Sequence, residues 1–219
     1  MIHKSTFEFL TDIAENNNRE WFLENKKRHD LAKINALEFT IELLGLIKAF
    51  DVSLINTTAA SCQSRIYRDI RFSKNKTPYK TNIGIIIGPQ GKKGTGACYY
   101  LHIQPGASFA AGGYWMPEAE DLKKIRQEID YNSADFKSIL EKKSFRETYG
   151  ELSAEDKLKT SPKGFDAQHP EIELLKLKSF TVSHPFKDLF LMNKSAAEKI
   201  SEIWKELYPL NNFLQEAVR

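Results

Sequence analysis

Residues 65–81 read Arg-Ile-Tyr-Arg-Asp-Ile-Arg-Phe-Ser-Lys-Asn-Lys-Thr-Pro-Tyr-Lys-Thr, and this stretch, called the basic run below, organises the chain. It contains six positively charged side chains and a single acid, Asp69. The six are Arg65, Arg68, Arg71, Lys74, Lys76 and Lys80. Arginine can hold a carboxylate or a phosphate through two parallel hydrogen bonds. The composition of the basic run therefore predicts that the protein binds a negatively charged partner.

The first half of the basic run alternates as a β-strand does, because successive strand side chains point to opposite faces. The even-numbered face would carry Ile66, Ile70 and Phe72 and should pack on the core, with Arg68 among them. Since an unpaired buried charge is costly, we expect Arg68 to be substantially buried and to make several hydrogen bonds. The turn composition of residues 73–78 would end this strand.

The odd-numbered face would place Asp69 between Arg71 and Tyr67, with Arg65 one step further. One carboxylate cannot neutralise the two guanidinium groups on its face. Two interpretations remain open. The charges could form an ion-pair ladder on a solvated sheet face, with the lysines as solubilising residues. Alternatively, the excess positive charge could form a concave basic floor on the sheet that binds an anion. The ligand-binding residues that this second interpretation predicts are Arg65, Tyr67, Arg68, Asp69, Arg71, Lys76, Tyr79, Lys80, Tyr114 and Trp115.

The basic run also resembles the signature of a family of conserved hypothetical bacterial and fungal proteins, classed as a domain of unknown function. The family's pattern is approximately R-[IV]-Y-R-D-x-R-F-S-x-[DN]-K-x-P-Y-K, and residues 65–80 fit it. Three further stretches are similar to other motifs of the family, namely residues 17–26, the glycine-rich residues 111–117 and residues 162–170. Ala111 stands where a third glycine would be common. The resemblance implies no activity, substrate or catalytic residue, so the function has to be argued from the residues.

The composition is that of a globular protein, with 41 % hydrophobic and 28 % charged residues. The formal net charge is +3; the basic run contributes +5 and the other residues net −2, so the positive charge is local. A local concentration suits a ligand site better than a general coat for nucleic acid. No signal-peptide core is present and no apolar stretch approaches 18 residues, so we expect a cytoplasmic protein without a membrane segment.

The two cysteines, Cys62 and Cys98, lack the C-x-x-C spacing and predict neither a disulfide framework nor a zinc site. Cys98 and His102 share one strand face, but no third metal ligand accompanies them. We therefore expect no metal and no cofactor.

Helical and strand patterns occupy different parts of the chain. Strand patterns follow the basic run at residues 83–87, 98–103 and 107–111, joined by short turns, and one more lies at residues 178–184. Consecutive strands with short turns form antiparallel sheets. The predicted fold class is α+β, a single domain over residues 1–219, with an antiparallel sheet covered by N- and C-terminal helices. Its parts would be a helical segment 5–50, a central sheet 64–115 and a mixed helical segment 117–219.

A long helix is predicted to begin after Asn17 as its N-cap, with Glu20 three positions later, and to run to about Ala49. Apolar residues at helical spacing mark its expected core face. They are Ile34, Leu37, Ile41 and Leu44.

Three functions from different classes fit these patterns. The first is the binding of a phosphorylated or otherwise anionic small molecule in a basic pocket lined by aromatic residues. The second is an enzyme acting on such a molecule, with Asp69 or His169 as acid or base. An Asp69 surrounded by arginine should be ionised, which suits a base better than an acid. The third, less favoured by the modest net charge, is binding of nucleic acid by stacking and phosphate contacts.

Overall fold

The fold is α+β, and the computed structural model describes all 219 residues. Its single sheet has four strands in the order β1-β2-β3-β4, and each neighbouring pair is antiparallel. The strands are β1 (Ile83–Ile87), β2 (Cys98–Ile103), β3 (Ser108–Tyr114) and β4 (Phe180–Phe186). The predicted fold class is confirmed, and so is the strand predicted near the C-terminal end of the chain.

Helices precede the sheet, interrupt it and follow it. Before β1 come α1 (Lys4–Glu15), α2 (Arg19–Glu24), α3 (Lys26–Ile47) and the short α4 (Ala59–Cys62). Between β3 and β4 lie α5 (Ala119–Tyr131), α6 (Ser133–Glu141), α7 (Lys143–Tyr149) and α8 (Ile172–Leu175). The chain ends with α9 (Asp188–Leu191) and α10 (Ala196–Ala217). No helix combines the length and the apolar character needed to cross a membrane.

One face of the sheet packs against helices, and the alternation along β2 shows which. Tyr99, Leu101 and Ile103 are buried, because they point toward α10 and the core. Helix α10 lies on β3, where the indole N–H of Trp204 donates to the carbonyl of Ala111 at 3.2 Å. The α10 helix therefore closes the apolar side of the sheet.

The opposite face of the sheet, called the open face below, remains accessible. Tyr100, His102 and Phe109 are half-buried on it, whereas Ser183 and Pro185 of the outer strand are exposed. His102 and Phe109 lie opposite each other in register, and their rings stack with centroids 4.8 Å apart. The open face thus carries a small aromatic patch rather than a row of charges.

Strand β3 needs glycine at two positions, because other elements approach its backbone closely. A Cβ atom on Gly112 would lie 2.2 Å from Cδ2 of Leu207 in α10. A Cβ atom on Gly113 would lie 1.9 Å from the carbonyl oxygen of Phe180, and the φ angle of Gly113 is +103°, in the left-handed region. The glycine-rich stretch therefore lets α10 and β4 pack against β3.

The prediction of a strand over the first half of the basic run is wrong. Residues 65–72 form no strand, and a single antiparallel bridge joins Tyr67 to Tyr79. Phe72, which was expected in the core, is 95 % exposed, and Arg68 is half-buried rather than substantially buried. The alternation of side chains in this stretch predicted a strand. The structure differs because the basic run makes hydrogen bonds within itself instead of pairing along a neighbouring strand.

The predicted long helix is also corrected. It is interrupted at Asn25 into α2 and α3, and the N-cap is Asn18, whose side chain accepts from the backbone N–H of Trp21. Of the predicted core stripe, Ile34 and Ile41 are 52 % and 58 % exposed. The buried face of α3 instead carries several small or polar residues, which give no strong apolar period. It consists of Ala32, Asn35, Ala36, Phe39, Thr40, Leu43, Leu44 and Ile47.

Candidate functional site

The edge of the sheet next to β1 is where the basic run begins. Gln63 forms an isolated antiparallel bridge with Ile85, and the backbone N–H of Ser64 donates to the carbonyl of Gly84 at 2.9 Å. These two residues act as a short extra strand beside β1. The basic run then leaves the sheet from this edge, so the concave basic floor predicted on the sheet is not formed.

The basic run folds back on itself as an irregular hairpin. The backbone N–H of Arg68 donates to the carbonyl of Pro78 at 2.9 Å, and the N–H of Lys80 donates to the carbonyl of Ile66 at 2.7 Å. Its two arms are therefore held in contact by backbone hydrogen bonds near the sheet, while residues 69–76 project outward.

Two cations of the basic run tie this hairpin together. The guanidinium of Arg68 donates to the carbonyl of Thr77 at 3.3 Å and also to the hydroxyl groups of Thr77 and Ser73. The ammonium of Lys76 donates to the carbonyl of Ile70 at 2.9 Å. The expectation that Arg68 makes several hydrogen bonds is thus confirmed, and these two side chains have a structural task.

A third cation, Arg71, is paired with Asp69. Arg71 Nε donates to Asp69 Oδ1 at 3.0 Å and Arg71 Nη2 donates to Asp69 Oδ2 at 2.6 Å. These bonds hold the pKa of Asp69 at about 2, so the carboxylate is ionised. Both side chains are solvent-exposed. Of the predicted ion-pair ladder, the structure contains the pair of Asp69 with Arg71, and Arg65 does not take part.

An asparagine from the N-terminal helices clamps the hairpin. Asn17 Nδ2 donates to the carbonyl of Tyr79 at 2.9 Å, and the N–H of Tyr79 donates to Asn17 Oδ1 at 3.0 Å. The ring of Phe22 stacks on that of Tyr79 with centroids 4.1 Å apart, and Tyr67 lies 5.5 Å from Tyr79. Amide and ring contacts together fix the hairpin against α2.

The remaining cations near the sheet edge lack an acidic partner. Arg65 and Lys80 form no ion pair, and Lys80 is half-buried. Burial lowers the pKa of Lys80, and the positive charges of Arg65 and Lys92 lower it further. Positive charge is therefore concentrated at this edge without a carboxylate to balance it.

A cleft of about 190 Å³ lies between α3 and the start of the basic run. Phe9 and Ile66 contribute to its apolar wall. Its polar lining comes from Lys33, Arg65, His29, Gln63, Ser64, Tyr67 and Asn82. No aspartate or glutamate lines it. Burial lowers the pKa of His29, against the opposing effect of its hydrogen bond to Asp30. Lysine and arginine are therefore the only side chains of fixed charge in the cleft, beside amide, hydroxyl and apolar groups.

A larger hollow of about 510 Å³ lies between α5, α6 and α10. Three of its lining residues are Glu128, Asp135 and Glu216, and no lysine or arginine lines it. Its charge is opposite to that of the basic cleft. We therefore take the smaller cleft as the candidate site.

A chain of hydrogen bonds extends from the cleft across the open face. The Tyr100 hydroxyl lies 2.9 Å from His102 Nδ1, and His102 Nε2 lies 2.9 Å from Gln104 Oε1. Because Gln104 Oε1 can only accept, Nε2 of His102 donates and Nδ1 accepts from Tyr100. Burial lowers the pKa of His102, and the charge of Lys80 adds to this effect. Asn82 lines the cleft, and its side-chain Nδ2 lies 3.4 Å from Nδ1 of His102.

Comparison with known proteins identifies the family. A family profile described as "Conserved hypothetical protein (DUF2461)" matches residues 5–213, nearly the whole chain. The chain belongs to the DUF2461 family. No curated protein and no solved structure matches it.

Two of the four stretches that resemble motifs of DUF2461 meet at the candidate site. The N-terminal stretch supplies Asn17 and Phe22, which hold Tyr79 of the basic run. The other two stretches lie elsewhere in the fold. The glycine-rich stretch packs against α10. In the last stretch, His169 Nε2 lies 2.8 Å from Asp130 Oδ1, and His169 Nδ1 accepts from the N–H of Glu171. Both ring nitrogens of His169 are therefore occupied in a contact between α5 and the start of α8.

Two aromatic residues predicted as walls of the site lie at the other end of the sheet. Tyr114 is buried and its hydroxyl donates to Asp121, whereas Trp115 is 69 % exposed. They end β3 beside the start of β2, whereas Arg65 lies beside the opposite end of β1. At about 4.8 Å between strands and 3.3 Å per residue, roughly 20 Å separate them. The structure thus does not bring Tyr114 and Trp115 to the basic run.

The side of the candidate site that the helices supply was not predicted from the sequence. Lys33, His29 and Phe9 come from α1 and α3, and no motif in the sequence singles them out. No group of three histidine, cysteine or acidic side chains lies together as it would around a metal ion. The side chains that converge are cationic, amide and aromatic, which can bind and orient an anion.

Proposed function

We propose that this protein binds a small phosphorylated or otherwise anionic molecule in the cleft between α3 and the basic run. The observation that carries the proposal is the set of cations without an acidic partner at this edge, namely Arg65, Lys80, Lys92 and Lys33. A half-buried lysine with a lowered pKa is stabilised when an anion arrives, because the anion favours its charged form.

The size of the cleft limits the ligand. Pockets that enclose drug-sized molecules measure about 300–1,000 Å³. The present cleft, at about 190 Å³, is smaller. An oxyanion would contact Arg65 and Lys33 at its rim, and a short apolar or ring portion would lie against Phe9 and Ile66. The ligand class is thus a small organic phosphate or carboxylate rather than a large cofactor.

A melting assay with a panel of anions tests this proposal. At a concentration one hundred times the dissociation constant, a ligand stabilises the protein by about 2.7 kcal/mol. For a chain of this size that corresponds to a rise of roughly 5–11 °C in melting temperature. Phosphate, sulfate and small phosphorylated or carboxylated metabolites form the panel, with chloride at equal ionic strength as the reference.

Matched variants locate the effect. Arg65→Gln and Lys33→Gln, which remove the two cations that line the cleft, should abolish the anion response, whereas Arg71→Gln should keep it because Arg71 is paired with Asp69. Without ligand, Lys80→Gln should leave the melting temperature equal or higher, since it removes a half-buried charge that has no acidic partner. A protein whose melting temperature ignores every anion, or whose response survives both substitutions, would refute the proposal.

A second candidate, binding of single-stranded nucleic acid, is favoured by the open face. Its aromatic patch of Tyr100, His102 and Phe109 lies near Lys80, and bases stack on such rings while cations contact phosphates. Such binding would weaken steeply with salt. Fluorescence anisotropy with labelled oligonucleotides at low and physiological salt distinguishes it, and Phe109→Ala should weaken only this activity.

A further inference from the structure

Helix α3 carries an apolar stripe that the rest of the fold leaves uncovered. Leu31, Ile34 and Ile41 are 66 %, 52 % and 58 % exposed, although the other face of α3 packs against α1 and α10. Leu23, in the preceding helix α2, is 60 % exposed as well. A single exposed apolar residue is ordinary, but here three of them lie along one face of one helix.

The stripe has the spacing of a seam between two paired helices. Lys27, Leu31, Ile34, Glu38 and Ile41 follow one another at intervals of four and three residues, which places them along one line of the helix. Lys27 and Glu38 are both exposed, and neither forms an ion pair within the chain. Lys27 and Glu38 flank the apolar pair Leu31 and Ile34. Their charges are opposite, so the stripe of one copy can pair with the stripe of a second copy.

We propose that the exposed face of α3 is a self-association surface on which two copies of this chain pair antiparallel. The two-fold axis would pass between positions 32 and 33. Leu31 of one copy then lies against Ile34 of the other, and Lys27 lies against Glu38. A two-fold axis repeats each contact, so these four residues give two apolar pairs and two ion pairs.

Charge selects this register over the alternatives. An antiparallel pair centred on Glu38 would bring two carboxylates together. A parallel pair would bring Lys27 against Lys27 and Glu38 against Glu38. Like charges in contact oppose association. Lys33 and Ala36, which line the basic cleft, lie on a different face of α3, so pairing leaves the cleft accessible. Self-association and anion binding can therefore fail independently.

Sedimentation velocity of the full chain over a range of concentrations up to about 200 µM tests the pairing. One helix pair gives an interface at the small end of specific interfaces, so we expect a dimer with a dissociation constant on the order of micromolar. Ile34→Glu should raise that constant by at least about tenfold, because it places a charge at the centre of the seam. Leu189→Glu, at an exposed position in α9, is the control and should leave it unchanged.

A charge reversal tests the register itself. Lys27→Glu and Glu38→Lys should each weaken the dimer, and the double variant should restore it to within about threefold of the wild type. Circular dichroism checks that each variant stays folded. A wild-type chain that remains monomeric at the highest concentration overturns the proposal. So does a dimer that ignores Ile34→Glu, or one that the double reversal does not restore.

Discussion

Replacing Gly113 with alanine should be among the most destabilising small substitutions in this chain. The new Cβ atom would lie 1.9 Å from the carbonyl oxygen of Phe180, which belongs to the backbone of β4 and cannot rotate away. The φ angle of +103° adds about 1–2 kcal/mol for a residue with a Cβ atom. Forcing β3 and β4 apart adds about 1–3 kcal/mol more. The expected loss of unfolding free energy is therefore about 2–5 kcal/mol.

Thermal and urea unfolding measure this loss, which corresponds to a drop of roughly 4–20 °C in melting temperature. Two other glycines are matched controls, because a Cβ atom on either meets nothing within 4 Å. Gly150→Ala tests the effect of a positive φ angle without a close contact, and it should lower the free energy of unfolding by about 1–2 kcal/mol. Gly45→Ala, within α3, should stabilise the protein by about 0.5–1 kcal/mol. If Gly113→Ala cost no more than Gly150→Ala, the close approach of β4 would not be what requires glycine.

Two further predictions concern the basic run. The carboxyl of Asp69 should titrate by NMR with a pKa of about 2, below its ordinary value of 3.8, and Arg71→Gln should return it toward that value. Because this pKa is lowered on folding, its stabilisation is present above about pH 4 and is lost as the pH falls toward 2. A wild-type Asp69 that titrates at its ordinary value would show that the pair with Arg71 does not persist in solution. Asn17→Ala should lower the urea-unfolding free energy by about 2 kcal/mol, since it leaves the backbone N–H and carbonyl of Tyr79 without partners; an unchanged midpoint would contradict the role of Asn17 as a clamp.

The sheet could be predicted because its signals are local. In β2, the alternation of Tyr99, Leu101 and Ile103 with half-buried neighbours matches the observed pattern, and a short turn of residues 104–107 joins β2 to β3. Alternation and turn composition are both properties of a few adjacent residues. Strand β4 showed the same signal, although its pairing with β3 could not be assigned from the sequence.

The buried face of α3 could not be predicted, because contacts distant in the sequence choose it. Asn35 is buried since its side-chain oxygen accepts from the backbone N–H of His3 and from the hydroxyl of Thr6. Those donors replace water, so a polar residue can enter the core there. Helical periodicity alone favoured Ile34 and Ile41, whose greater hydrophobicity made the exposed stripe the stronger signal.

The candidate site was half predictable for a similar reason. Arg65, Tyr67 and Lys80 could be selected from the unusual charge of one stretch. Their partners Lys33 and His29 lie more than thirty positions earlier, on a helix whose orientation the sequence did not reveal. Arg71, also predicted as a ligand-binding residue, makes a bidentate bond to Asp69 two residues away, and composition alone did not reveal that pairing.

The late position of β4 has a consequence for synthesis of the chain. Between the end of β3 at Tyr114 and the start of β4 at Phe180 lie 65 residues, and α10 follows later still. A ribosome adding about 5–20 residues per second needs roughly 3–13 s to make that interval. During this time β3 is an unpaired edge, and its apolar face has no α10 to cover it. The nascent chain therefore passes through a period in which an unpaired strand edge and an apolar face are exposed together, which favours aggregation.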